Sequence, residues 1–272
     1  MDFKEKVKRN VADNFDQSIR IYQEFEEKHG FFSSYALALA ETIGLTQKSS
    51  VLDVGCGYGL SAAVLSRHYG CRVLGIDLSL EMIAAGRAME KNEDIRLVVG
   101  DGENLSPIVG DEQFDYVVYN ASIFIFPDAA KAIDQAFRCL CPGGKIAFSY
   151  YPQLVGDNES DLFDTAFKRL GEPLPRFRVI TDYADACKAL ADCCGNIRHH
   201  RRTQPLDIGF LQDFFSIPAQ SASLFPGRSY EERQELVRQL FAGLHDAEDR
   251  GQIVWCMAEG SKKTPTASCQ CP

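Results

Sequence analysis

Two patterns of apolar residues alternate along most of this chain. Residues 51–54, 72–77, 95–99, 114–120 and 146–151 are short and mostly apolar, as strands buried on both faces are. Between them, residues 60–69, 80–91 and 129–140 carry apolar side chains at helical spacing. Ahead of the first strand, residues 3–28 read as a helix in which Phe15, Ile19, Tyr22 and Phe25 share one face. Gly30 ends that helix, and residues 31–43 form the next one. After residue 151 the pattern predicts a helix over 159–170, a Pro-containing loop over 171–178 and a helix over 181–194. A strand over 195–204, helices within 208–243 and a last strand over 252–259 follow. Residues 261–272 are polar and aperiodic, which predicts a disordered tail.

The first strand runs into Gly55-Cys56-Gly57-Tyr58-Gly59 and then a helix. A strand, a glycine-rich turn and a helix make the first half of a nucleotide-binding βαβ unit. The glycines let the backbone turn sharply and let a ligand lie against it, and the helix start offers free N–H groups. A dinucleotide site would have a third glycine three residues after the second, where this chain has Leu60. Asp53, two residues before the first glycine, is a poor neighbour for a pyrophosphate and a good one for an ammonium or sulfonium group.

The run VLDVGCGYG at 51–59 resembles the first motif of the class I S-adenosylmethionine-dependent methyltransferases. Later segments extend the resemblance. The second strand ends in Asp77, where the unit needs an acid for the ribose hydroxyls. Leu78 and Met82 are candidates for the adenine face or for the core. Asp101, in Gly100-Asp101-Gly102-Glu103, resembles the family's adenine-binding acid, which accepts from the exocyclic amine while the next backbone N–H reaches a ring nitrogen. Asn120 and Ser122, past the fourth strand, are candidates to hold the methionine moiety. Cys141-Pro142-Gly143-Gly144-Lys145 resembles the turn before the family's fifth strand.

The resemblance covers residues 45–151 and implies an α/β, Rossmann-like fold. Seven strands form a mostly parallel sheet with the seventh antiparallel, and helices cover both faces. Residues 1–44 would be a helical cap or lid, residues 45–260 the cofactor-binding domain, and residues 261–272 a tail. A helical insert at about 206–245 would lie between strands six and seven, and acceptor specificity resides in such additions. The N-terminal helix and this insert, with Phe210, Phe214, Phe215, Phe225 and Phe241, are similar to the quinone-biosynthesis and sterol C-methyltransferase type. The cofactor set so implied is Tyr22, Asp53, Gly55, Cys56, Gly57, Asp77, Leu78, Met82, Asp101, Gly102, Glu103, Asn120 and Ser122. Tyr22 is either part of a packed helix or of a lid near the methionine end. Residues 123–127, Ile-Phe-Ile-Phe-Pro, are either plain packing or a wall of the site.

Composition narrows the partners. A formal net charge of −9 argues against a broad nucleic-acid footprint, and no apolar run is long enough for a membrane span. The charged N-terminus lacks the apolar stretch of a secretory signal, so a cytoplasmic protein is expected, its ten cysteines mostly reduced thiols. Cys187, Cys193, Cys194, His199 and His200 fit no paired metal-ligand spacing, and Cys269 and Cys271 lie in the tail. The basic run 198–202 reads as a solvated edge or a local anion contact. Methyl transfer chiefly needs alignment and exclusion of water, so the catalytic residues stay unassigned. His29, Tyr35, Tyr151, His199 and His200 are the possible general bases. A small, partly apolar acceptor is expected, on a monomer or homodimer. Arsenite or thiol methylation, and an inactive cofactor-binding regulator or scaffold, are the alternatives.

Overall fold

The computed structural model describes residues 2–175 and 179–263. Three helices come first, α1 (Phe3–Asp16), α2 (Ile19–His29) and α3 (Phe31–Ile43). Strands and helices then alternate as β1 (Ser50–Val54), α4 (Leu60–Tyr69), β2 (Arg72–Asp77), α5 (Leu80–Met89) and β3 (Ile95–Val99). The short α6 (Ser106–Val109) leads to β4 (Phe114–Tyr119), α7 (Ala129–Arg138) and β5 (Leu140–Ser149). The remainder is β6 (Gln153–Val155), α8 (Leu162–Leu170), α9 (Tyr183–Cys193), β7 (Gly195–Pro205), α10 (Ile208–Ser216), α11 (Pro218–Leu224), α12 (Tyr230–Ala242) and β8 (Gln252–Ser261).

β3, β2, β1, β4 and β5 lie side by side and parallel, and β8 pairs antiparallel with β5. β7 pairs along the whole of β8, so β5 and the three-residue β6 share its other side. The expected seven lateral positions are therefore present, and β6 prolongs β5 beyond a break that contains Pro152, which has no N–H to give a ladder. Central strand residues such as Leu52, Val117 and Phe148 are wholly buried. That is why these segments read as continuous apolar runs. α3 packs on α4 and α7 on α9, and together the helices cover both faces of the sheet.

Several boundaries differ from the sequence reading. The helix expected over 3–28 is two helices, because Ser18 is fully buried at the junction. Its hydroxyl donates to the Asn14 carbonyl and accepts from the Ala219 N–H of α11. The turn at 141–144 is absorbed into β5 as an irregularity in its pairing with β4. α8 begins at Leu162 rather than 159, since the Asp161 side chain caps it by accepting from the Phe163 N–H. Ser261 closes β8 instead of opening the tail, while residues 264–272, with Cys269 and Cys271, lie outside the described residues. Among the described residues, no helix is long and apolar enough to cross a membrane.

The insert α10–α12 docks through aromatic rings. Phe210 and Phe214 meet Phe25 and Phe31 at centroid separations of 5.3–6.1 Å, and Phe31 lies 4.6 Å from Trp255 of β8. At the far side of the sheet, β7 is the outermost strand. Its Arg198 and His200 flank the buried Glu259 carboxylate at 3.2 and 3.5 Å, so part of the basic run makes a local anion contact. Trp255, the sole tryptophan, joins the sheet to this ring cluster. Trp255→Ala should cost about 3–5 kcal/mol, read as a lower urea midpoint at unchanged slope.

Candidate functional site

The carboxyl ends of β1 to β4 meet at one cleft, roofed by α1 and α2. Its floor is the glycine loop. Gly55 has φ +76°, and a Cβ there would sit 2.6 Å from the Ser122 side chain. Gly57 has φ +56° with no heavy atom within 4 Å of a Cβ position, so its backbone faces open space. The Gly55 and Cys56 N–H groups donate to the Ile76 carbonyl, which ties the loop to the end of β2.

Asp77 stands at that end with both oxygens engaged. The Gly57 N–H donates to Oδ2 at 2.8 Å and the Ser79 N–H to Oδ1 at 2.9 Å. Each oxygen keeps a lone pair for a further donor. Burial raises the Asp77 pKa, and these N–H groups oppose that shift. Asp101, after β3, accepts from the Glu103 N–H at 2.9 Å and from Lys8 Nζ at 2.7 Å. Asn120 bridges elements, donating to Ser61 Oγ of α4 and accepting from Ser149 Oγ of β5. The Ser122 hydroxyl donates to the Val54 carbonyl.

Of the residues expected from sequence to hold the cofactor, all but Asp53 and Glu103 line this cleft. Glu103 is buried beside it, accepting from the Asp128 N–H at the start of α7 and pairing with Lys8 at 2.7 Å. Asp53 is fully buried and neither of its oxygens has a hydrogen-bond partner. Burial first, and the nearby Asp77 charge second, push its pKa up to about 7. Tyr22 lies on the cleft wall, stacked on Phe32 at 4.5 Å and edge-on to Tyr58 at 6.1 Å. Burial drives its hydroxyl pKa well above the usual value, and the Cys56 thiol likewise, so both stay protonated near neutral pH.

None of the five possible bases lines the cleft. His29 is held by Asp213 at 2.8 Å beneath Phe25 and Phe210. Tyr35 is buried against Phe31 and Trp255, and the Tyr151 hydroxyl lies 3.3 Å from Ser223 Oγ. His199 contacts Tyr183 and Cys187, and His200 faces Glu259. Among the described residues, no three His, Cys, Asp or Glu side chains are arranged to hold a metal ion.

The cleft also contains residues that the sequence reading passed over, notably Lys8, Phe32, Tyr58 and Ser61. Of residues 123–127, Ile125, Phe126 and Pro127 form a wall, while Ile123 and Phe124 are buried. The signal for Lys8 was its spacing: residues 8, 11, 12 and 15 fall on one helix face, and all four line the cleft. The phenylalanines of the insert do not line it. Phe214 backs it instead, lying 6.0 Å from Phe32.

Comparison with known proteins agrees with this geometry. Residues 52–148 match a family described as a methyltransferase domain. The chain is 31% identical to phosphoethanolamine N-methyltransferase 2 of Caenorhabditis elegans over half its own length and 31% of that protein's. It is 30% identical to demethylmenaquinone methyltransferase of Staphylococcus epidermidis over 52% of this chain and 56% of that one. In both cases the match spans little more than half of the relative, or less. A solved structure of Haemonchus contortus phosphoethanolamine N-methyltransferase 2, with phosphomonomethylethanolamine and S-adenosylhomocysteine, superposes with a TM-score of 0.58. That likeness, at 20% identity over 93% of this chain and 60% of the other, is one of fold.

The orphaned Asp53 carboxylate yields a prediction about pH. Its folded pKa of about 7 exceeds the ordinary 3.8, so the folded state binds more protons between those values and stability falls as pH rises through the window. Asp53→Asn should flatten that slope. Without ligand, the variant should be the more stable protein at pH 8 and lose the advantage near pH 4, as measured by urea denaturation across that range.

Proposed function

We propose that this chain, whose residues 52–148 match a methyltransferase domain, is a class I S-adenosylmethionine-dependent methyltransferase that transfers a methyl group to a small, partly apolar acceptor. The observation that carries this reading is the Asp77–Gly57 arrangement. A carboxylate with one spare lone pair on each oxygen sits at the end of β2, beside an open glycine backbone. Two vicinal ribose hydroxyls fit such a carboxylate. Asp101 would accept the adenine amine, with Leu78 and Met82 against the ring. Asp53, which has no partner of its own, suits a ligand ammonium, a charge that would return its pKa toward the usual carboxylate range.

S-adenosylmethionine would supply an electrophilic methyl group on a sulfonium, and the neutral thioether formed when that methyl C–S bond breaks leaves without protonation. The chain's own residues then have three tasks. The glycine loop and the Asn120–Ser122 turn fix the position of the amino-acid end. α1 and α2 act as a cap that excludes water from the cleft. Apolar side chains, among them Val11, Phe15, Phe32, Ile125 and Phe126, set the acceptor at in-line distance, about 3 Å from the methyl carbon. The Tyr22 hydroxyl retains its proton and can orient an acceptor by donating to it.

The arsenite alternative calls for thiols that converge, and Cys56 is the one cysteine among the cleft-lining residues. Arsenite is therefore the less favoured acceptor. Titration of S-adenosylmethionine and S-adenosylhomocysteine by calorimetry tests the cofactor site. Binding in the micromolar range is expected, weakened by about tenfold or more in Asp77→Ala, as loss of a charged hydrogen-bonding group implies. NAD should not bind. Failure of the wild-type chain to bind either sulfur compound would overturn the reading. Incubation with labelled S-adenosylmethionine and an acceptor panel then separates an enzyme from a binding protein.

A further inference from the structure

α1 lies across the cleft although none of its residues is buried. Its hold on the domain is polar. Lys4 Nζ reaches Asp128 Oδ2 at 2.6 Å, Lys8 Nζ reaches Asp101 Oδ2 and Glu103 Oε2 at 2.7 Å each, and the Ser79 hydroxyl donates to the Asp16 carboxylate. These partners sit on the three loops that follow β4, β3 and β2. Lys8 is the central tether. Its side chain is 13% exposed and that of Glu103 2%, so this pair is largely withdrawn from water, unlike the Lys4 pair. One ammonium thus ties together the cap, a buried carboxylate and a carboxylate that faces the cleft.

We propose that Lys8 is a positioning residue for the adenine end of the cofactor, acting through Asp101 and not by contact with the exocyclic amine. This rests on the methyltransferase reading given above. Lys8 takes one lone pair of Asp101 Oδ2, and the Glu103 N–H takes one of Oδ1. The direction of the remaining lone pairs is fixed by that pairing, and so is the orientation in which the carboxylate meets an amine. Lys8 also keeps Asp101 and Glu103 from repelling each other. Without it the two acids would separate, and Asp101 would lose the orientation in which it meets an amine.

The test uses the full chain and two ligands, S-adenosylhomocysteine and S-inosylhomocysteine, in which a keto group replaces the amine. The wild type should prefer the adenosyl compound by about tenfold or more, as a hydrogen bond to a charged group implies. Lys8→Met should weaken S-adenosylhomocysteine by a similar factor and bring the preference below about threefold, whereas Lys8→Arg should keep most of it. Equal weakening of both ligands in Lys8→Met, or adenosyl binding within about twofold of wild type, would overturn the proposal. Should Lys8→Met not fold, Lys8→Gln takes its place with the same expected loss of preference, and an unchanged preference there counts against Lys8. If the wild type binds neither ligand, the methyltransferase reading itself has failed.

Discussion

Negative charge gathers where the parallel strands of this protein end. Asp53, Asp77, Asp101 and Glu103 all lie in or beside one cleft, two of them fully withdrawn from water or nearly so. An ionised carboxylate in such surroundings is costly unless donors face it. Much of the local structure is a response to that constraint. Backbone N–H groups of the glycine loop and of the α5 start serve Asp77, Lys8 serves Asp101 and Glu103, and the Asp128 N–H serves Glu103. Asp53 alone has no hydrogen-bonding donor from the protein, which makes it the acid best placed to take one from a ligand.

The features readable from sequence were those fixed by local pattern. Strands buried on both faces show as apolar runs, and a glycine with positive φ leaves its mark because other residues resist that backbone. Acids such as Asp77 and Asp101 could be placed because each follows a strand directly. The features missed depend on what meets what across the fold. Lys8 looked like one more charge on a mixed helix until α1 lay over the β3 loop. Ser18 gave no sign of breaking a helix, since its partner Ala219 lies far along the chain. The histidines and tyrosines considered as bases were judged by chemistry alone, and packing directs them elsewhere. His29, for example, is drawn to Asp213 of the insert.

The insert acts on the cleft at one remove. Its Phe210 and Phe214 set the position of Phe25, Phe31 and Phe32, and Phe32 in turn supports Tyr22. Rings packed edge to face and stacked in this way leave little free volume, so a change at one ring is passed to its neighbours. A substitution in α10 would therefore be felt at the cleft wall as a shift of Phe32 and Tyr22 together.

β7 bounds the described sheet with an eleven-residue strand whose outer ladder groups have no partner among the described residues. Long bare edges of that kind invite the edge of a neighbouring molecule, and proteins that stay dispersed spoil the match. Here the spoiling is done by arginines at 198, 201 and 202. Two copies of β7 brought side by side would crowd these cations together, and among the described residues only Arg198 has an acid, Glu259, beside it. The run read from sequence as a solvated edge or a local anion contact thus sets like charge against like wherever one such sheet edge would meet another.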